Sequence, residues 1–244
     1  MRVLIVENMK NTHHGQVGVA LAEAGAELDI ARPWNGELLP AKPEGHDALV
    51  VFGGEQSAID DDTHPYLPSL AKLMRTFGDS GRPVLGICLG SQILARAYGA
   101  ANLLGATPEF GWHRVALSDA AVDDPVLSGV SRSFPIFQWH SDTFTLPDDA
   151  VRMASNPAVE NQCFRIGRAA YGMQFHFEAS REVVEKWNAE FSELLDRKHP
   201  EWLPHYVPVA NLHGPDADTT GLAIARAWVA LISADQPAEV MELG

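Results

Sequence analysis

The feature that most restricts the fold is an alternation in the first half of the chain between short apolar runs and helical periodicity. Val3-Leu4-Ile5-Val6 is an unbroken apolar run, as in a strand buried on both faces. Residues 16–24 follow with Val17, Ala20, Leu21 and Ala24 at helical spacing and Gly25 as a stop. Residues 28–31 read as a second strand, and 48–52 as a third that ends at Gly53-Gly54. Residues 65–77 form a helix with Leu67, Leu70, Met74 and Phe77 on one face. Residues 84–87 are a fourth strand, and 89–98 a helix closed by Gly99. Strands and helices in strict alternation predict an α/β fold with a central, mostly parallel sheet.

The second half differs. Residues 114–117, 134–139, 151–155, 162–166 and 170–175 are short strand candidates separated by Gly, Pro, Asn and Asp, which predicts an additional antiparallel region. Residues 180–198 carry the strongest helical pattern, with Val183, Val184, Trp187, Phe191, Leu194 and Leu195 in one stripe. Ser180 is placed to cap it, Glu182 lies in the first turn, and Arg197 and Lys198 lie in the last. One further helix is expected over 219–232. With no repeat and no linker composition, the reading is a domain over 1–200 and an extension, 201–244, packed on it.

Charge and cysteine usage narrow the functional classes. The net charge of −14 would repel a phosphate backbone and an anionic membrane, so neither nucleic acid nor a membrane is an expected partner. No run approaches the ~20 apolar residues of a membrane span. The N-terminal apolar run is too short for a signal peptide. Two cysteines, Cys88 and Cys163, are read as free thiols in a reducing compartment, and the expected location is the cytoplasm. His13-His14 is merely adjacent, so no metal site is expected.

Three segments carry chemistry. In Val84-Leu85-Gly86-Ile87-Cys88-Leu89-Gly90-Ser91-Gln92, a buried strand runs into Gly-x-Cys-x-Gly and then a helix, which is a nucleophile elbow with Cys for Ser. The flanking glycines remove Cβ atoms that a sharp turn would drive into backbone. The cysteine then stands at a helix N-terminus, where dipole and free N–H groups favour a thiolate. A buried structural cysteine beside turn glycines would give the same pattern. In Tyr171-Gly172-Met173-Gln174-Phe175-His176-Phe177-Glu178, a strand end would present His176 and Glu178 on one side, as base and orienter. An ordinary polar pair on an exposed strand is the alternative. Phe52-Gly53-Gly54 ends another strand. There the Gly54 N–H, with the Leu89 N–H after the nucleophile, could receive an oxyanion, although Gly-Gly also makes simple turns.

Taken together with Trp139-His140-Ser141-Asp142, and in this order, these segments resemble the class I glutamine amidotransferases, most closely the glutaminase domain of GMP synthases and its stand-alone relatives. The resemblance covers roughly residues 1–200. It implies a flavodoxin-like three-layer sandwich and a Cys88–His176–Glu178 triad. It also implies attack on the γ-carbonyl of glutamine, or of a γ-glutamyl compound, with a thioester on Cys88. By the same analogy the substrate's amino-acid end would meet Gly53, Gln92, His140, Ser141 and Asp142. For Gln92 a helix-surface amide and for Asp142 a loop-capping acid are the competing readings. No cofactor is implied. The substrate is a small molecule, and a separate synthetase subunit is an alternative partner. A non-catalytic binding or regulatory protein on the same fold is the third reading. Glu55 stands where the family commonly has Pro. No phosphate-binding loop of an ATP-pyrophosphatase occurs in these residues, so activity on GMP precursors is not implied.

Overall fold

The computed structural model describes residues 1–233. The first half alternates β1 (Arg2–Val6), α1 (Gly15–Glu23), β2 (Glu27–Ala31), β3 (Ala48–Val51), α2 (Leu67–Asp79), β4 (Val84–Ile87) and α3 (Leu89–Ala97). Then come β5 (Asn102–Leu103), β6 (Glu109–Leu117), β7 (Ser133–His140), β8 (Thr143–Phe144), β9 (Ala150–Ser155), β10 (Cys163–Ile166) and β11 (Ala170–Met173). Three helices close the described chain: α4 (Arg181–Glu190), α5 (Ser192–Lys198) and α6 (Trp202–Ser233).

The main sheet has nine strands in the order β2-β1-β3-β4-β11-β10-β9-β6-β7. The first five are parallel, and the other four join antiparallel. β1, β3, β4 and β11 are almost entirely buried, which is why they read as continuous apolar runs. On one face Val3, Ile5, Val50 and Leu85 pack with Val17 and Leu21 of α1 and Ile224, Trp228 and Ile232 of α6. On the other, Leu4, Val51 and Val84 pack with Leu70, Met74 and Phe77 of α2 and Ile93 and Leu94 of α3. The result is the three-layer, flavodoxin-like α/β sandwich with its antiparallel extension.

Three elements differ from the sequence reading. The helix expected over 180–198 is two, broken at Phe191, whose φ of −114° and ψ of 22° leave the helical region. The strand expected to carry His176 stops at Met173, and His176 is held beyond it by a single bridge in which its N–H donates to Phe137 O at 2.8 Å. The final helix begins at Trp202, far upstream of 219, and runs through Pro208 and Pro215. Prolines normally interrupt a helix. Here docking compensates: a Cβ at Gly221 would clash with Phe177 O, and one at Gly214 with Arg181, so α6 lies directly on the 177–181 segment. Arg181 donates to Asp218 at 2.7 Å, and Arg226 pairs with Glu23 at 2.6 Å. Residues 234–244, the end of the expected extension, lie outside the described residues.

Candidate active site

The parallel strands deliver the site. β3, β4 and β11 lie side by side with Val51 opposite Gly86 and Ile87 opposite Met173, so the segments leaving their carboxyl ends emerge together. These are Phe52-Gly53-Gly54, Cys88 and Gln174–Glu178.

Cys88 is the only non-glycine residue at positive φ among the described residues, at 51° with ψ of −110°. That backbone is strained for an L-residue and persists only when its surroundings enforce it. They do. The Cys88 N–H donates to Met173 O at 2.8 Å, and Cys88 O accepts from Ser91 N–H at 2.9 Å and from the Ser91 hydroxyl at 2.7 Å. A Cβ at Gly86 would collide with the Gly90 carbonyl, and one at Gly90 with Val51 O. Gly86 is therefore required by the turn itself, and Gly90 by the close approach of β3.

His176 and Glu178 are buried, and the His176 Nδ1 to Glu178 Oε1 distance is 2.6 Å. A Cβ on Gly53 would sit 3.5 Å from Cys88 Cβ and 3.4 Å from His176 Cε1, so that glycine borders both side chains at once. As S–H, the thiol is aimed at Trp139 O, 3.7 Å away. Burial disfavours the imidazolium, but the charges of Glu178 and Cys88 and hydrogen bonds to both outweigh it, holding His176 well above the ordinary imidazole range. Cys163 is the contrast: burial, then the charge of Asp124, push its thiol well above the usual range, and it does not reach the cavity.

The remaining expected residues also line one cavity of about 810 Å³: Gly53, Gly54, Leu89, Gln92, His140, Ser141 and Asp142. Gln92 is buried, not a surface amide; its Nε2 donates to Asp142 O and to Gln174 Oε1, both at 3.2 Å. The Asp142 carboxylate accepts from Gly105 N–H at 2.8 Å and so caps a loop, while its carbonyl faces Gln92. Both His140 ring nitrogens are engaged, with Asp142 O at 3.0 Å and Glu109 Oε2 at 3.1 Å, which leaves only its backbone for a ligand.

Several contributors escaped the sequence reading. Asn8 donates to Phe52 O at 2.7 Å, and Gln56 donates to Asn8 O at 3.2 Å, which ties down the Gly53-Gly54 turn. Gly15, at φ 48°, lies against the Glu178 carbonyl, and Gln16 N–H donates to that oxygen at 2.9 Å. Glu109 lies behind His140 and also accepts from Asn156 and Gln162, each at 2.7 Å. Burial would raise its carboxyl; hydrogen bonds from His140 and Asn156 and the charges of His140 and His113 outweigh this and hold it below the usual range. Only Gly15 had a local signal, as a glycine immediately ahead of the helical spacing that begins at Gln16. The hydrogen bonds just named join Asn8, Gln56 and Glu109 to Phe52, Asn8, His140, Asn156 and Gln162, 31 to 53 residues away in the chain.

The fold, the elbow and the histidine just beyond β11 define a class in which a sheet places a cysteine beside a His–Glu pair. The chain belongs to the class I glutamine amidotransferase family, whose model matches residues 7–189. It is 33% identical over 166 residues to the glutamine amidotransferase-like protein YfeJ of Salmonella typhimurium, covering 67% of this chain and 70% of that one. It is 32% identical over 196 residues to a glutamine-hydrolysing GMP synthase subunit of Thermoplasma volcanium, covering 78% of this chain and 91% of that one. Among solved structures, a glutamine amidotransferase from Thermotoga maritima superimposes with a TM-score of 0.81 at 27% identity, covering 95% of this chain and 97% of that one.

Proposed function

We propose that this chain hydrolyses the γ-amide of glutamine or of a γ-glutamyl compound through a thioester on Cys88. The observation that carries the reading is the strained placement of Cys88 at the carboxyl end of the central parallel strands beside His176, whose far nitrogen is bound by Glu178 at 2.6 Å. The Cys88 thiolate attacks the γ-carbonyl, and the N–H groups of Gly54 and Leu89 receive the negative charge that develops on its oxygen. The protonated His176 gives its proton to the departing amine, and the C–N bond breaks. His176 then takes a proton from water, which attacks the thioester and releases glutamate and the thiolate. Glu178 orients the ring and balances its charge throughout.

A diazoketone analogue of glutamine, which alkylates an attacking thiolate, tests this. One label per chain is expected, absent in Cys88→Ala and retained in Cys163→Ala. Hydroxylamine should divert the thioester to a hydroxamate. Labelling that survives Cys88→Ala would overturn the assignment.

A second reading has support in the relatives named as subunits of GMP synthase: the chain would supply ammonia to a separate synthetase. Negligible glutamine hydrolysis alone, rising on addition of a synthetase subunit, would favour it.

A further inference from the structure

The cavity is far larger than free glutamine needs. At about 810 Å³ it falls in the range of pockets for drug-sized ligands. The glutamyl end is common to every candidate substrate, so substrates differ in the leaving group, for which the cavity has room. The mechanism locates that group. The scissile nitrogen must lie against His176, which protonates it, and whatever that nitrogen carries lies beyond.

The wall beside His176 is aromatic. Trp187 packs edge-on to the His176 ring, with centroids 5.2 Å apart. Trp139 meets Trp187 at 5.6 Å and Phe191 at 5.3 Å, and Phe110 meets Trp139 at 5.2 Å. His199 stacks flat on Phe110 at 4.0 Å. Burial, then the charge of Lys198, hold that imidazole below its ordinary range, so it presents a neutral ring at neutral pH. Leu194 completes the wall. These residues have two sides. Behind them Trp112, Phe137, Trp202 and Tyr206 form a layer that does not reach the cavity, while Phe110, Trp139, Phe191 and Leu194 remain half-buried on the cavity side. An apolar surface left open beside a reacting centre is stabilised by an apolar ligand.

We infer that the wall from Trp187 to Phe110 is a leaving-group site, and that the preferred substrate is a γ-glutamyl amide whose nitrogen carries an apolar, ring-bearing arm. This rests on the Cys88 reading above. The reaction consumes water and yields glutamate and the free amine, with the amine's added proton coming from His176.

The test compares kcat/KM for the N-benzyl and N-methyl γ-amides of glutamate, whose leaving amines are both unactivated, and for glutamine itself. The benzylamide should exceed the methylamide by about tenfold or more, ~1.4 kcal/mol of differential binding in the transition state. Phe191→Ala should pull that ratio towards one. Equal rates for the two amides, or glutamine as the best substrate, with Cys88 still labelled by the diazoketone, would overturn the inference and leave the Cys88 reading standing. Failure of both labelling and hydrolysis would overturn the Cys88 reading, and the inference with it. If Cys88 is labelled but no amide turns over, protection from labelling decides: stronger protection by the benzylamide supports the site, and equal protection by both amides sinks it.

Discussion

At the scale of single residues, the site depends on how His176 is held. Its neighbours keep the proton on, so the folded pKa lies above the unfolded one. The resulting stabilisation is full below the ordinary imidazole value of ~6.5 and is lost as pH rises through the raised folded value. The stability advantage of the native protein over His176→Gln is therefore expected to shrink as pH rises above that ordinary value, measured as the difference in thermal midpoint. An advantage constant with pH would show that the fold does not raise the His176 pKa. Glu178→Gln keeps the size of the side chain but removes the charge that orients and balances the ring. A loss in kcat of about a hundredfold or more is expected, with KM little changed. A change confined to KM would instead place Glu178 in substrate binding.

At the scale of elements, the break between α4 and α5 sets the shape of the cavity. From the break onward, Phe191, Leu194 and Lys198 line it. The start of α4 matters as well, because it follows Glu178 by only a few residues. Ser180 caps it through a long bond, with Val183 N–H donating to the Ser180 hydroxyl at 3.4 Å. Ser180→Ala should therefore cost only about 0.5 kcal/mol, the low end for cap removal, read from denaturant midpoints. The unforeseen reach of α6 has the same origin as its prolines' tolerance. Propensity describes a helix in isolation, but here Gly214 and Gly221 allow a close seat on Arg181 and Phe177 that outweighs it.

At the scale of the molecule, the segment that carries His176 and Glu178 is braced from behind by the last helix. Gly221 touches Phe177 O, between His176 and Glu178 in the chain, so Gly221→Ala should destabilise the fold by about 1–3 kcal/mol. It should also lower the rate of Cys88 labelling, since Phe177 lies between His176 and Glu178. Full stability with unaltered labelling would mean that α6 is a cover, not a brace. The strand–helix alternation and the Cys88 elbow were legible in the chain because both follow from local rules: the period of burial along a strand or helix, and the clash of a Cβ with adjacent turns. His176 and Glu178 stood out through their spacing of two, although the strand expected to hold them ends earlier. The aromatic wall, the Asn8 and Gln56 anchor of the glycine turn, and the buried Glu109 beneath His140 could not be read in the same way. Each joins residues from segments distant in the chain, strand to strand or strand to helix, and that meeting is decided by which faces bury one another once the chain is packed, a free energy that no single segment contains.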